Sequence, residues 1–175
     1  MGIYLKTFGS IMILFSCGKL GNYIGNRYRN RFLNLRLFEE CVEILETEIL
    51  FFSNPLKDAF QNVYLKGNKR VSKVFFEISK EMNINKYINL QNCFKDVLVF
   101  NRGDLCLEWE DIEVIVGLGF NLGTTNKKDQ KKFFRSTIKQ LKIQQRDAEE
   151  KMKRNERLYK RLGFLSGLAI ITVLI

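Results

Sequence analysis

The sequence predicts an all-α protein: a cytoplasmic helical bundle of about six helices flanked by N- and C-terminal transmembrane helices. Three observations carry this. A single proline, Pro55, interrupts 175 residues, and proline is the strongest helix breaker. Apolar residues recur at alternating steps of three and four along most of the chain, the period of a helix with one buried face. Each end carries an apolar stretch that borders directly on a basic one, as a membrane helix borders on its cytoplasmic flank. The expected division is a transmembrane helix over residues 7–26, a bundle over 27–157 and a second transmembrane helix over 158–175.

The first stretch, Thr7 to Asn26, has Lys19 as its only charge and is followed by Arg27, Arg29 and Arg31. About twenty residues of helix rise roughly 30 Å, the thickness of a hydrocarbon core. Lys6 and the apolar run Ile11 to Phe15 also permit a cleaved signal peptide. The arginines after the run oppose export of the chain beyond it, and no convincing small-x-small cleavage site follows it. A retained span is therefore the preferred reading.

A helical pattern runs on through Leu35, Phe38, Val42, Leu45, Ile49 and Phe52, widened by Leu37, Cys41 and Ile44. A face that broad suits a bundle core. Asn54 is placed as an N-cap and Pro55 as a first helical residue. Leu56, Ala59, Phe60 and Val63 form the next stripe, which Gly67 closes. A third helix covers about Arg70 to Met82, with Val71, Val74, Phe75 and Ile78 inward, and a fourth about Lys86 to Phe100. A fifth begins near Glu108, where Glu108, Glu110, Asp111 and Glu113 suit the positive end of the helix dipole. Trp109 is expected there as a core anchor. That helix continues through Ile112, Ile115, Val116 and Leu118 to Leu122, and Gly123 ends it.

The last helix is the longest. Phe134, Ile138, Leu141, Gln145, Ala148, Met152, Asn155, Tyr159 and Leu162 alternate steps of four and three. With no glycine or proline from Thr124 to Leu162, one helix runs from near Asn126 into the apolar tail. That tail, Leu162 to Ile175, rises only about 21 Å, or about 27 Å from Leu158 if Lys160 and Arg161 snorkel. Its basic flank is Lys153, Arg154, Arg157, Lys160 and Arg161. Positive flanks mark the cytoplasmic side. Both point to the middle of the chain, which places the bundle inside and both termini outside, with the first and last helices free to pack antiparallel.

Six fragments in order carry a family likeness: Arg27, Tyr28 and Arg29; the run Leu45, Glu46, Thr47, Glu48 and Ile49; Pro55 and Leu56; the acidic run Glu110 to Glu113 with Asp111; Leu122, Gly123 and Thr124 with Gln130; and Asn155, Tyr159, Leu162 to Leu165 and Gly167. Over essentially its whole length the chain resembles the stage III sporulation protein AB family of endospore-forming bacteria. Lys19 departs from the expected apolar span, and residues 69–101 carry no fragment of the pattern. The resemblance implies similarity to the inner-membrane platform proteins of type II secretion and type IV pilus machines. It implies a place in the mother-cell (outer forespore) membrane, within a mother-cell-to-forespore channel complex. Its partners would be a cognate secretion-type ATPase, other membrane components and membrane lipid, with self-association open. The fragments then become candidate interface residues.

The net charge is +10. Fourteen of the 29 basic residues lie between Lys127 and Arg161, opposed by five of the 19 acidic ones, so this segment holds nearly the whole excess. From Lys151 to Arg161 it reads as a membrane-proximal, lipid-facing helix; from Lys127 to Lys142 it reads as a partner surface. A membrane-tethered nucleic-acid-binding protein is the alternative. It ranks lower because only Phe133, Phe134 and Tyr159 interleave the basic residues. The acidic residues Glu39, Glu43 and Glu46 share one helix face, which reads as a solvated stripe or, given the resemblance, a salt-bridge surface for the basic last helix.

No catalytic constellation appears. The chain has no histidine, phosphate-binding loop, nucleophile elbow or CxxC pair. Cys17, Cys41, Cys93 and Cys106 lack metal-site spacing. No cofactor, metal or enzymatic activity is expected.

Overall fold

The computed structural model describes residues 2–84, 89–122 and 127–174. Their regular structure is entirely helical: α1 Gly2–Leu50, α2 Leu56–Lys66, α3 Lys69–Ile84, α4 Leu90–Leu105, α5 Trp109–Asn121 and α6 Lys127–Leu174. The all-α, six-helix expectation holds. The chain divides into two compact units, Arg31–Arg146 and Met1–Asn30 with Asp147–Ile175.

The bundle unit is built on phenyl rings. Phe38 of α1, Phe60 of α2, Phe75 of α3 and Phe94 of α4 are each fully buried. Phe75 lies 6.4 Å from Phe38, 6.0 Å from Phe60 and 6.2 Å from Phe94 between ring centres, and Phe60 meets Phe94 edge-on at 5.8 Å. Such pairs contribute about 0.5–1.5 kcal/mol each beyond the burial of their area. Leu35, Val42 and Leu45 of α1, Ile115 and Leu118 of α5, and Phe134 and Leu141 of α6 complete the core. These are the residues that the three-and-four spacing marks as inward.

Local chemistry sets the helix ends. Beyond Leu50 the backbone N–H of Asn54 donates to the Glu48 carbonyl at 3.1 Å, and Ser53 takes the left-handed conformation at φ 54. Serine thus stands in the left-handed position where glycine is favoured at a helix end. α1 thus ends before Phe52, which is 62% exposed instead of joining the inward stripe. Pro55, not Asn54, is the N-cap of α2, because its ψ of 143 keeps it outside the helix. Gly67 ends α2 at φ −82, so space and not handedness demands glycine. A Cβ there would lie 2.8 Å from the Val63 carbonyl oxygen and 3.0 Å from Cys41 Sγ. The Asn89 side chain caps α4 by accepting from the Asn92 N–H at 3.3 Å. Lys86, Gly123 and Thr124, placed at helix ends by the sequence, lie outside the described residues.

Two expectations need correction. Trp109 is not a core anchor. It is 51% exposed, with the Arg102 guanidinium 4.2 Å above its ring, because Ile112, Ile115 and Leu118 take the inward positions of α5. The flanking helices do not meet the requirements of transmembrane spans: among the described residues, no helix is long and apolar enough to cross a membrane. Lys6 and Lys19 bracket the first apolar run, and only Leu162 to Leu174 follows Arg161 within α6. Both uncharged runs fall short of the roughly twenty residues a crossing requires.

Candidate functional site

The terminal unit pairs the first part of α1 with the last part of α6. Glycines make the contact. A Cβ on Gly21 would lie 2.6 Å from the Tyr159 carbonyl oxygen and 2.9 Å from the Gly163 Cα. A Cβ on Gly163 would lie 2.7 Å from the Cys17 carbonyl oxygen. Gly25 lies against the Glu156 backbone and Gly167 against Leu14 and Cys17. Gly21 and Gly25 on α1, and Gly163 and Gly167 on α6, are each four residues apart and so share a face. Backbone meets backbone along this seam, as where small residues repeat every fourth position in membrane helices. Tyr28 and Tyr159 stack at one end of it, 5.7 Å between ring centres.

Large apolar side chains point the other way. Phe8, Ile11, Met12, Phe15 and Leu20 on α1 are each more than half exposed, as are Phe164 and Leu165 on α6. A helix pair in water buries its large side chains and leaves small ones outside. Here the order is inverted. Two lysines of this unit have local partners. Lys19 lies 4.7 Å above the Phe15 ring, and Lys160 pairs with Glu156 at 2.8 Å.

In the bundle unit, the family-like residues resolve into distinct roles. Within the run from Leu45 to Ile49, Leu45 is core, and Thr47 is exposed and donates to the Glu43 carbonyl at 3.0 Å. The two glutamates differ. Glu48 is buried and accepts from Asn54 Nδ2 at 2.6 Å, Asn62 Nδ2 at 2.7 Å and Lys66 Nζ at 2.5 Å. The Lys66 hydrogen bond leads in holding its carboxyl below the usual range, with Asn62 and Asn54 adding to it against the cost of burial. It ties the end of α1 to the turn before α2, to the middle of α2 and to its last residue, beside exposed Pro55 and half-buried Leu56. Glu46 is half-buried, and burial pushes its carboxyl up against the opposing pull of Arg135 and Lys131 of α6. On the same acidic face, Glu39 meets Lys142 at 3.1 Å and accepts from Gln145 Nε2 at 2.6 Å. The acidic stripe of α1 therefore faces basic residues of α6 within this unit.

Arg31 does not belong with the exposed basic flank. It is buried, and its Nε and Nη2 each donate to the Asp111 carboxylate at 2.8 Å, a bidentate pair. Glu108 at 3.2 Å and Gln144 at 3.3 Å complete its surroundings. Asp111 also accepts from the Glu108 backbone N–H at 2.8 Å, closing the first turn of α5. Asp111 is thus an internal fastener of α1, α5 and α6, not a partner-facing residue. Glu110, one residue earlier, is exposed, Leu122 is buried and Gln130 is half-buried. Arg27, Arg29, Lys153, Arg154, Arg157, Lys160 and Arg161 are exposed, and Asn155 is half-buried.

No pattern in the sequence marks Asn54 and Asn62 as partners of Glu48, and 113 residues of chain separate Gln144 from Arg31. The glycine seam did have a signal, the repeated four-residue spacing. Burial pushes the Cys41 thiol up to about 12 and the Cys93 thiol to about 11, so neither offers a thiolate at neutral pH. Among the described residues, no group of three histidine, cysteine or acidic side chains could hold a metal ion.

Comparison with known proteins agrees with the arrangement of the helices. The family profile described as "Stage III sporulation protein AB" matches residues 6–175. Stage III sporulation protein AB of Bacillus subtilis (strain 168) is 26% identical over 170 residues, covering 97% of this chain and 99% of that protein. A solved structure of a stage III sporulation protein AB superposes with a TM-score of 0.63 at 23% identity, over 70% of this chain and 96% of the other. That likeness establishes the shared fold.

Proposed function

The chain belongs to the stage III sporulation protein AB family, and from that premise we propose that it is a non-enzymatic platform held at the mother-cell membrane around the forespore. The two terminal helical segments insert as one pair, with the bundle on the cytoplasmic side. The bundle docks a secretion-type ATPase, in the manner of type II secretion platforms, and joins other membrane components of a channel to the forespore.

The observation that carries this reading is the inverted terminal unit. Gly21, Gly25, Gly163 and Gly167 are inside, and Phe8, Phe15, Leu20, Phe164 and Leu165 are outside. Lipid is the surrounding in which that order costs nothing. The apolar run of α6, about 20 Å of helix, is long enough to enter a bilayer beside α1 without crossing it alone. The exposed basic residues Arg27, Arg29, Arg154, Arg157 and Arg161 flank the apolar segments, where headgroups would meet them. The fixed bundle surface, with Glu48 and Arg31 locking its elements from within, suits a docking body better than a moving or catalytic one.

Flotation of the full chain with phosphatidylcholine vesicles tests the insertion. The chain is expected to stay with the vesicles through a high-salt wash. Release by salt alone would overturn it. For the docking claim, the cognate ATPase should co-purify with the full chain. Its absence from the purified complex, with the chain folded and membrane-bound, would sink that part.

A further inference from the structure

We propose that Arg154, Arg157 and Arg161 on α6 form a headgroup site for anionic phospholipid, with the acyl chains lying along Leu165 and Leu168. The proposal rests on the membrane reading above and names the lipid class that this end of the molecule selects.

The basic residues of this segment divide into two sets. The lysines are neutralised along the helix: Lys151 pairs with Asp147 at 3.0 Å, Lys153 with Glu149 at 2.7 Å and Lys160 with Glu156 at 2.8 Å. Each has its acidic partner one turn earlier. The three arginines are exposed, and none makes a hydrogen bond or ion pair among the described residues. Together with Lys153, whose charge Glu149 offsets, they line a shallow concavity of about 370 Å³ whose apolar lining is Leu158 and Leu162. The uncompensated charge is therefore arginine, the side chain whose planar fork matches two phosphate oxygens at once.

The helix face continues the match. Arg154, Arg157, Arg161, Leu165 and Leu168 follow at steps of three, four, four and three, so they share one side of α6. The arginines occupy roughly the first 10 Å of it and the leucines the next 10 Å. Leu165 and Leu168 are 57% and 41% exposed. A charged stretch followed along one face by an apolar stretch is the pattern of an amphiphile with an anionic head. Nucleic acid would use the arginines and leave the leucines unexplained. So would free phosphate.

The test uses the full chain in a neutral detergent, titrated with short-chain phosphatidylglycerol and with short-chain phosphatidylcholine. Phosphatidylglycerol should bind at least about tenfold tighter. Arg154→Gln, Arg157→Gln and Arg161→Gln together should weaken it on the order of a hundredfold, since each basic residue near an anionic headgroup is worth about a factor of five. A control that removes a paired charge outside the concavity, Lys151→Gln with Asp147→Asn, should change binding by less than about threefold on the same principle. The arginines hold no other residue in place, so retained helical circular dichroism in the triple variant shows that lost binding is not lost folding. Equal binding of the two lipids overturns the proposal, as does displacement of phosphatidylglycerol by equimolar inorganic phosphate or by a DNA duplex. If phosphatidylglycerol binds selectively in detergent while the chain fails to float with neutral vesicles, the anchoring reading fails and this site stands. If the chain floats but shows no lipid preference, the reverse holds.

Discussion

The bundle and the terminal pair obey opposite packing rules. In the bundle, four phenyl rings meet at the centre and the acidic and basic stripes lie outside. In the terminal pair, Gly21 meets Gly163 at the centre, and Phe15, Phe164 and Leu165 lie outside. The same two helices, α1 and α6, take part in both units. Helix formation is thus common to both units, while the solvent each was selected for is not. Water rewards burying large apolar area, whereas hydrocarbon rewards only close backbone packing and shape fit.

Perturbing the two centres should separate these rules. The largest effect is expected from the bundle. Phe75→Ala should cost about 3–5 kcal/mol, the usual loss for a large aromatic in a closed core, read as a lowered urea midpoint. Phe15→Ala, the matching truncation in the terminal pair, should leave that midpoint unchanged and weaken vesicle association instead. Asp111→Ala should come next, also about 3–5 kcal/mol, because it strands the buried Arg31 guanidinium. A loss below about 1 kcal/mol would mean that the Arg31 cluster is wet and the bundle less closed than described.

Gly163→Leu attacks the other centre. Its side chain has no room against the Cys17 carbonyl, and overpacking of this kind costs about 1–3 kcal/mol. The cost should fall on helix pairing alone. Crosslinking between cysteines placed at Leu14 and Gly167 should drop, with the urea midpoint of the bundle unmoved.

The smallest effect concerns pH. Glu48 has its folded pKa held down by Lys66, Asn62 and Asn54, so its stabilisation is complete above the unfolded value near 4.3 and is lost as pH falls through the lower folded value. Glu46 is shifted the other way by burial, so its ionised form weakens the fold as pH rises. Glu48→Gln should therefore lower bundle stability at pH 7, by about 1.5–3 kcal/mol for the loss of charge-assisted hydrogen bonds, and flatten its acid dependence. Glu46→Gln should leave stability at pH 7 equal or slightly higher.

The same contrast explains what could be read in advance. Phe38, Phe75, Phe134 and Leu141 were legible because one buried face imposes a period, and the period survives in sequence. Phe52 broke that period because the backbone turned at Ser53, and no glycine marks the turn. Arg31 looked like the last member of a basic run. Helical geometry turns it well away from Arg29, and Asp111, its partner, lies eighty residues on. Trp109 fell on the wrong side because the inward positions of α5 were already filled by isoleucine and leucine. The glycine pairs stood in the sequence at regular spacing, but which glycine meets which depends on how α1 and α6 register against each other.

The central claim is that the terminal pair keeps glycine inside and presents its large apolar side chains to lipid. Nitroxide labels at Leu165 and at Thr47, in a cysteine-free full chain reconstituted in vesicles, test it most directly by collision with oxygen and with a water-soluble nickel chelate. The account predicts that Leu165 collides with oxygen and is shielded from nickel, while Thr47 shows the reverse. Nickel access at Leu165 equal to that at Thr47 would contradict it.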